Sequence, residues 1–294
     1  MKLDKVESIH SPQNGFKNNQ KLSITGSQKT WSRFKYPQSL IRYIIYLIVF
    51  VFIIYSLEYL NVPVGRFFTM FGRLGDMITK KYYPPDISYA LKKDYLLYVL
   101  ETVQMAYLGA LLGIFFSIPI SWFASFNVTP SRRFAYPIGR FIIMACRSVH
   151  EMIWTIIFVI ILGFGMFPGV LALTMFSIGF AGKLFSEEIE AIKLGQVEAI
   201  RSTGANPVQV LVYAVLPQVR VAWAGISIYT WDSAFRAATV LGYFGAGGMG
   251  WYLKESVERL ETLRVSAILL TIICLVVVSE VASAWARNKI SKMK

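Results

Sequence analysis

Apolar and polar stretches alternate along this chain on a scale of about twenty residues. A helix rises about 1.5 Å per residue, so about 20 apolar residues cross a hydrocarbon core ~30 Å thick. Six runs approach that length: Ile41–Leu60, Leu96–Phe126, Phe141–Gly163, Pro168–Phe185, Gln209–Trp231 and Ser266–Ala286. The pattern predicts an all-α integral membrane protein with six transmembrane helices. The second run is longer than a perpendicular span needs, which predicts a tilt or a bend near Pro119. Gly163 to Pro168 predicts a tight turn between the third and fourth spans. Between the first two spans, residues 64–78 set Phe67, Phe68, Phe71 and Leu74 opposite Arg66, Arg73 and Asp76. That period suits a helix lying in the outer interface or packed on the bundle. Residues 1–39 are polar, basic and aperiodic, so a disordered tail is expected there. The first apolar run begins too late and is too long for a signal peptide. The resulting division is a tail over 1–39, a first span with its external segment over 40–95, a core over 96–286, and a second tail over 287–294.

Composition agrees. Of 294 residues, 55% are hydrophobic and only 16% charged, with mean hydropathy +0.51, which excludes an ordinary soluble domain. The net charge of +13 could suggest nucleic acid, but Lys and Arg cluster beside apolar runs, as juxtamembrane charges do. With the N-terminus inside, eighteen of the thirty Lys and Arg fall in inner segments and ten in outer ones. That bias predicts both termini in the cytoplasm. Cys146 and Cys274 lie within apolar runs, and neither they nor the two histidines have metal-ligand spacing. No metal site and no catalytic residue is expected.

The most informative stretch runs from Glu198 to Pro217, polar at its start and apolar at its end. Gln196 to Ser202 can form a short helix. Gly204 can take the positive φ that ends it, and Pro207 suits the first turn of the next. The expected product is a short helix across the inner ends of the spans. Charges inside the spans are the other candidates, because such groups usually face the bundle interior. Arg147 and Glu151 are four residues apart in the third span, and Asp232 and Arg236 repeat that spacing after the fifth. Each pair reads either as a structural ion pair or as polar lining of a substrate path. His150 reads as a satisfied interior residue. Glu187, Glu188 and Glu190 read as a solvated helix face. Gly245 to Gly250 matches GxGxxG, but without a surrounding βαβ unit it reads as a flexible, close-packed outer loop near the translocation path. No phosphate-binding loop of the nucleotide-hydrolase kind occurs in the sequence. Any ATP that drives this protein must bind another chain.

Glu198-Ala199-Ile200, three residues, Gly204, nine residues, Ala214, one residue, Leu216-Pro217 resembles the coupling loop of ABC importer permeases. Ile200 replaces the usual second Ala, and Ala214 replaces an aliphatic residue. Pro84-Pro85-Asp86, Glu101-Thr102, Arg147 to Trp154, Gly182 to Glu187 and Arg236 to Gly242 resemble the phosphonate-family permeases. The resemblance covers about residues 60 to 286, with the coupling loop at 187–217. It implies a homodimer in a bacterial inner membrane, a cytoplasmic ATPase dimer touching Glu198, Ala199, Gly204, Leu216 and Pro217, and an external substrate-binding protein. The implied cargo is phosphonate or a related phosphorus oxyanion, phosphite or hypophosphite. Rival expectations are a permease for another small solute such as methionine, an ATP-independent secondary transporter or channel, and a membrane scaffold.

Overall fold

The computed structural model describes residues 38–60 and 64–291. The expected tail thus lies outside the described residues except for Gln38 and Ser39, which open the first helix. The chain divides into two compact units, Met1–Phe68 and Thr69–Lys294. The first contains α1 (Gln38–Tyr59), an apolar rod long enough to span a bilayer, and the start of α2 (Val64–Met77). Residues 69–77 of α2 are exposed.

The second unit holds the other helices: α3 (Ile87–Ala90), α4 (Lys93–Phe123), α5 (Ala135–Ser148), α6 (Glu151–Leu162), α7 (Met166–Glu190), α8 (Leu194–Ser202), α9 (Pro207–Val210), α10 (Leu216–Leu241), α11 (Gly248–Glu258) and α12 (Thr262–Ser291). No strand occurs among the described residues. Asp86 caps α3 by accepting from the Tyr89 N–H at 3.2 Å. Between α9 and α10 the turns of Leu211–Val215 widen to π-helical geometry. Pro217, which has no N–H to return to a carbonyl one turn back, lies just beyond them.

The core is a seam between α4 and α7. Lipid tails are as apolar as leucine, so membrane helices associate through close packing rather than water exclusion. The sequence supplies small residues for it: Ala106, Ala110 and Ser117 on α4 and Ala172, Ser177 and Ala181 on α7 are all buried. A Cβ on Gly109 would lie 2.5 Å from the Leu173 Cβ, so only glycine permits this approach. Ser117 Oγ donates to the Gly113 carbonyl within α4 (2.6 Å) and lies 3.3 Å from that of Ser177 on α7. Phe235, Ala238 and Leu241 of α10 close the cluster.

Among the described residues five helical stretches are long and apolar enough to cross a membrane, and the α5–α6 pair makes a sixth if counted as one broken span. The third span is therefore not the continuous helix expected over Phe141–Gly163: its halves meet at 90°. Neither Pro nor Gly causes the break. Val149 is extended, and His150 caps α6 by accepting from the Met152 N–H through Nδ1 at 3.3 Å. Arg147 closes α5 and Glu151 opens α6, each facing the helix-dipole end that favours its charge.

Candidate functional site

Two regions carry chemistry, a platform at one end of the bundle and a groove between α5 and α7. The platform is α8. Of its nine residues only Val197 is buried, seated in a cluster with Phe185, Val210, Val215 and Trp223, where the Phe185 and Trp223 rings stack at 4.6 Å. Glu198, Ala199, Ser202 and Gly204 are exposed. Gly204 takes φ +81° and its N–H donates to the Arg201 carbonyl at 3.0 Å, which ends the helix as the sequence predicts. Asn206 and Gln209 then form a reciprocal cap with Pro207 in the first turn of α9.

The two departures from the coupling-loop pattern have physical reasons here. Ile200 is half-buried and packs on the Val197 cluster, and Ala214 is buried at 2% exposure within that same cluster. Gln218 joins the platform to α10: its Oε1 accepts from the Lys193 N–H at 3.1 Å and its Nε2 donates to the Ala214 carbonyl at 2.7 Å. Leu216 and Pro217, at the start of α10, are exposed. At the C-terminal end of α7, next to the platform, Glu190 accepts from Arg140 at 2.5 Å and from the Phe126 N–H at 3.0 Å. The Asn127 amide donates to the Glu190 carbonyl at 2.9 Å. The loop between α4 and α5 is thereby tied to the residues that lead into α8. Glu190 is thus not part of a solvated face, and Glu187 pairs with Lys183 at 2.7 Å.

The groove encloses about 430 Å³ and is lined by Arg140, Ile143, Met144, Arg147, Ser148 and Lys183. Gly179 lets α5 lie against α7: a Cβ there would be 2.8 Å from Arg147 Cγ and 3.1 Å from its backbone nitrogen. The expected Arg147–Glu151 pairing does not occur. The 90° break puts the two residues on different helices, and among the described residues Arg147 makes no ion pair. Glu151 instead lies 3.5 Å from His150 Nδ1. That nitrogen also accepts from the Met152 N–H at 3.3 Å, and His150 is exposed rather than interior.

Asp232 and Arg236 do meet, at 2.6 Å, on α10. Asp232 is 3% exposed, and its second oxygen accepts from Ser279 of α12 at 3.2 Å. Its carboxylate is spent on joining two helices. The glycine-rich segment is also firmer than a flexible loop. Gly248, Met249 and Gly250 are buried in the first turn of α11, and Gly165 donates to the Gly245 carbonyl at 3.2 Å. The Thr102 hydroxyl accepts from the Met249 N–H at 2.9 Å and donates to the Tyr98 carbonyl at 3.0 Å. No group of His, Cys, Asp or Glu among the described residues could hold a metal.

Sequence reasoning found Arg147 but missed Arg140 and Lys183 as its companions. Both were counted as flanking charges that set orientation. The i, i+7 spacing of Arg140 and Arg147 on α5 and the glycines of α7 are the available signals.

Comparison with known proteins agrees with this architecture. The chain is 40% identical over 205 residues to a phosphite transport system permease protein of Stutzerimonas stutzeri, covering 70% of this chain and 74% of that one. It is 36% identical over 188 residues to a phosphate-import permease protein of Mycolicibacterium smegmatis, spanning 64% of this chain but only 35% of that longer protein. Among solved structures, the MetNI methionine ABC transporter in an inward-facing conformation matches with TM-score 0.56 and 19% identity, covering 67% of this chain and 95% of that one. At that identity the likeness shows the fold alone. Residues 117–292 match the family described as binding-protein-dependent transport system inner membrane component, and the chain belongs to that family.

Proposed function

We propose that this chain is the permease of an ATP-driven importer for phosphonate or a related phosphorus oxyanion, phosphite or hypophosphite. In this reading an external binding protein delivers the anion. A cytoplasmic ATPase dimer hydrolyses ATP on its own chains and docks on α8, and two permease copies form the path between them. Both termini lie in the cytoplasm of a bacterial cell.

The observation that carries the permease reading is α8, a nine-residue helix anchored by one buried side chain with its outer face open. A helix so held moves as a rigid handle, and Gln218 and Glu190 connect it to α10 and to the α4–α5 loop. The substrate class is supported by what the relatives' names state and by the cations of the α5–α7 groove. Moving a small ion from water into a low-dielectric layer costs on the order of 20 kcal/mol before compensation, so an anion path needs fixed positive charge. The methionine reading has fold likeness behind it and no such charge requirement.

The test is reconstitution of the chain with its ATPase and binding protein in proteoliposomes. ATP-dependent uptake of labelled phosphite or methylphosphonate, but not of methionine, is expected. Failure to capture an ATPase, or uptake without ATP, would remove the importer reading.

A further inference from the structure

We propose that the α5–α7 groove is an oxyanion relay in which Arg147 receives the anion and Lys183 and Arg140 pass it toward the α8 end, with Glu187 and Glu190 as the counter-ions it displaces. This rests on the importer reading and names the residues of its path.

The order follows from the packing. Arg140 and Arg147 stand two turns apart on α5, so they share a face. Gly179 of α7 lies beside Arg147, and Gly182 beside Ile143 one turn nearer the α8 end. Arg140 reaches Glu190 at the last turn of α7. Lys183 lies between these levels and is held by Glu187. Proceeding toward α8, the groove therefore presents an unpaired arginine, a lysine held by one carboxylate, and an arginine held by another.

This gradation fits transit rather than storage. An unpaired guanidinium captures an anion through its fork of donors. The next two cations are already neutralised, so the anion must exchange with a carboxylate at each, and neither traps it. Arg140 has a donor in reserve, because its buried Nε–H has no acceptor among the described residues. The two carboxylates belong to the turns of α7 that lead directly into α8, and Glu190 also fastens the α4–α5 loop. Displacing the Glu190 carboxylate frees it from the Phe126 N–H and loosens the connection that the ATPase would push on, so cargo in the groove and movement of α8 are linked. Ordinary phospholipid headgroups carry the same phosphate chemistry, and the experiment separates the two sources.

The experiment uses the full importer in proteoliposomes with a reporter thiol at the groove, Met144→Cys, in a Cys274→Ser background; Cys146 is buried. The rate of maleimide labelling is read with phosphite, or with chloride at equal ionic strength, in vesicles of zwitterionic or anionic lipid. Phosphite is expected to slow labelling several-fold in either lipid, and chloride to leave it unchanged. Arg147→Gln and Lys183→Gln should abolish the protection, and Lys183→Arg should retain it. Equal protection by chloride, protection that survives both neutral substitutions, or protection that follows anionic lipid rather than phosphite would overturn the relay. An importer that takes up phosphite without protection keeps its function and loses the relay. Protection by phosphite without uptake of any phosphorus oxyanion keeps the site and ends the substrate assignment.

Discussion

Replacing Gly204 isolates what the platform contributes. Its φ is +81°, and a Cβ placed on it would meet nothing within 4 Å. A side chain there has no neighbour to strike, so the whole effect is backbone strain. For a β-branched residue in the left-handed region this costs on the order of 1–3 kcal/mol, and asparagine, which tolerates that region, costs less. A shift of about 2 kcal/mol changes an equilibrium about 30-fold. The strain is relieved by unwinding the end of α8, where Gly204 and Thr203 return their N–H groups to Arg201 and Ile200. Val197 and the buried residues of its cluster lie outside that turn, which holds only the half-buried Ile200, so the fold should persist. Gly204→Val should therefore keep insertion and thermal stability, lose ATPase capture, and lower ATP-driven uptake about tenfold or more. Gly204→Asn should stay near the parent. Parental uptake and ATPase capture by Gly204→Val would refute the argument that the turn holds α8 in its working orientation.

Four further outcomes follow. Thr102→Val should destabilise the protein by about 1–3 kcal/mol, read by denaturation in detergent, because the buried Met249 N–H loses its acceptor, while Thr102→Ser should be nearly neutral. Gly248→Ala should be worse than Gly204→Ala, since at φ +65° its Cβ also collides with Thr102 Oγ1; equal effects would contradict the packing around α11. Arg236→Met should lower stability toward the ~3 kcal/mol end of the range for breaking a buried pair, because Asp232 keeps only Ser279, and a Leu at 232 together with Met at 236 should restore much of it. In a Cys274→Ser background, a cysteine at position 204 should resist labelling from outside sealed cells while one at position 260, where Leu260 is 83% exposed, should react.

The helix inventory was legible because length and hydropathy act locally. A run of about twenty apolar residues has few options in a bilayer, and α1, α4, α7, α10 and α12 fall where such runs lie. The platform was legible because Gly204 and Pro207 each impose a backbone geometry that few other residues share. The groove was not, since it depends on which faces of α5 and α7 meet. Lys183 and Arg140 sit at the margins of apolar runs, and in a linear reading a cation there looks like an orientation signal. Only the packing, with Gly179 and Gly182 letting α5 settle on α7, turns them inward to one cavity. Glu190 departs from the solvated face for the same reason, because its partner Arg140 lies on another helix, whereas Glu187 and Glu188 are exposed as that face requires.

The break at Val149 changes the meaning of the residues on either side of it. In one straight helix Arg147 and Glu151 would sit a turn apart and neutralise each other at little cost. Split at 90°, they become the last turn of one helix and the first of the next. Each is then stabilised by the dipole of its own helix, worth typically 0.3–1 kcal/mol, so neither needs the other. The segment itself carries that signal: a cation, then Ser148, an extended Val149, a capping His150 and an acid are the stop and start signals of two helices in succession. Two residues whose spacing allows either an ion pair or a path lining become a capped helix start and an arginine with its charge unspent. A permease that must admit an anion through an apolar bundle needs such a charge, not already neutralised, and breaking the helix supplies it without adding a residue.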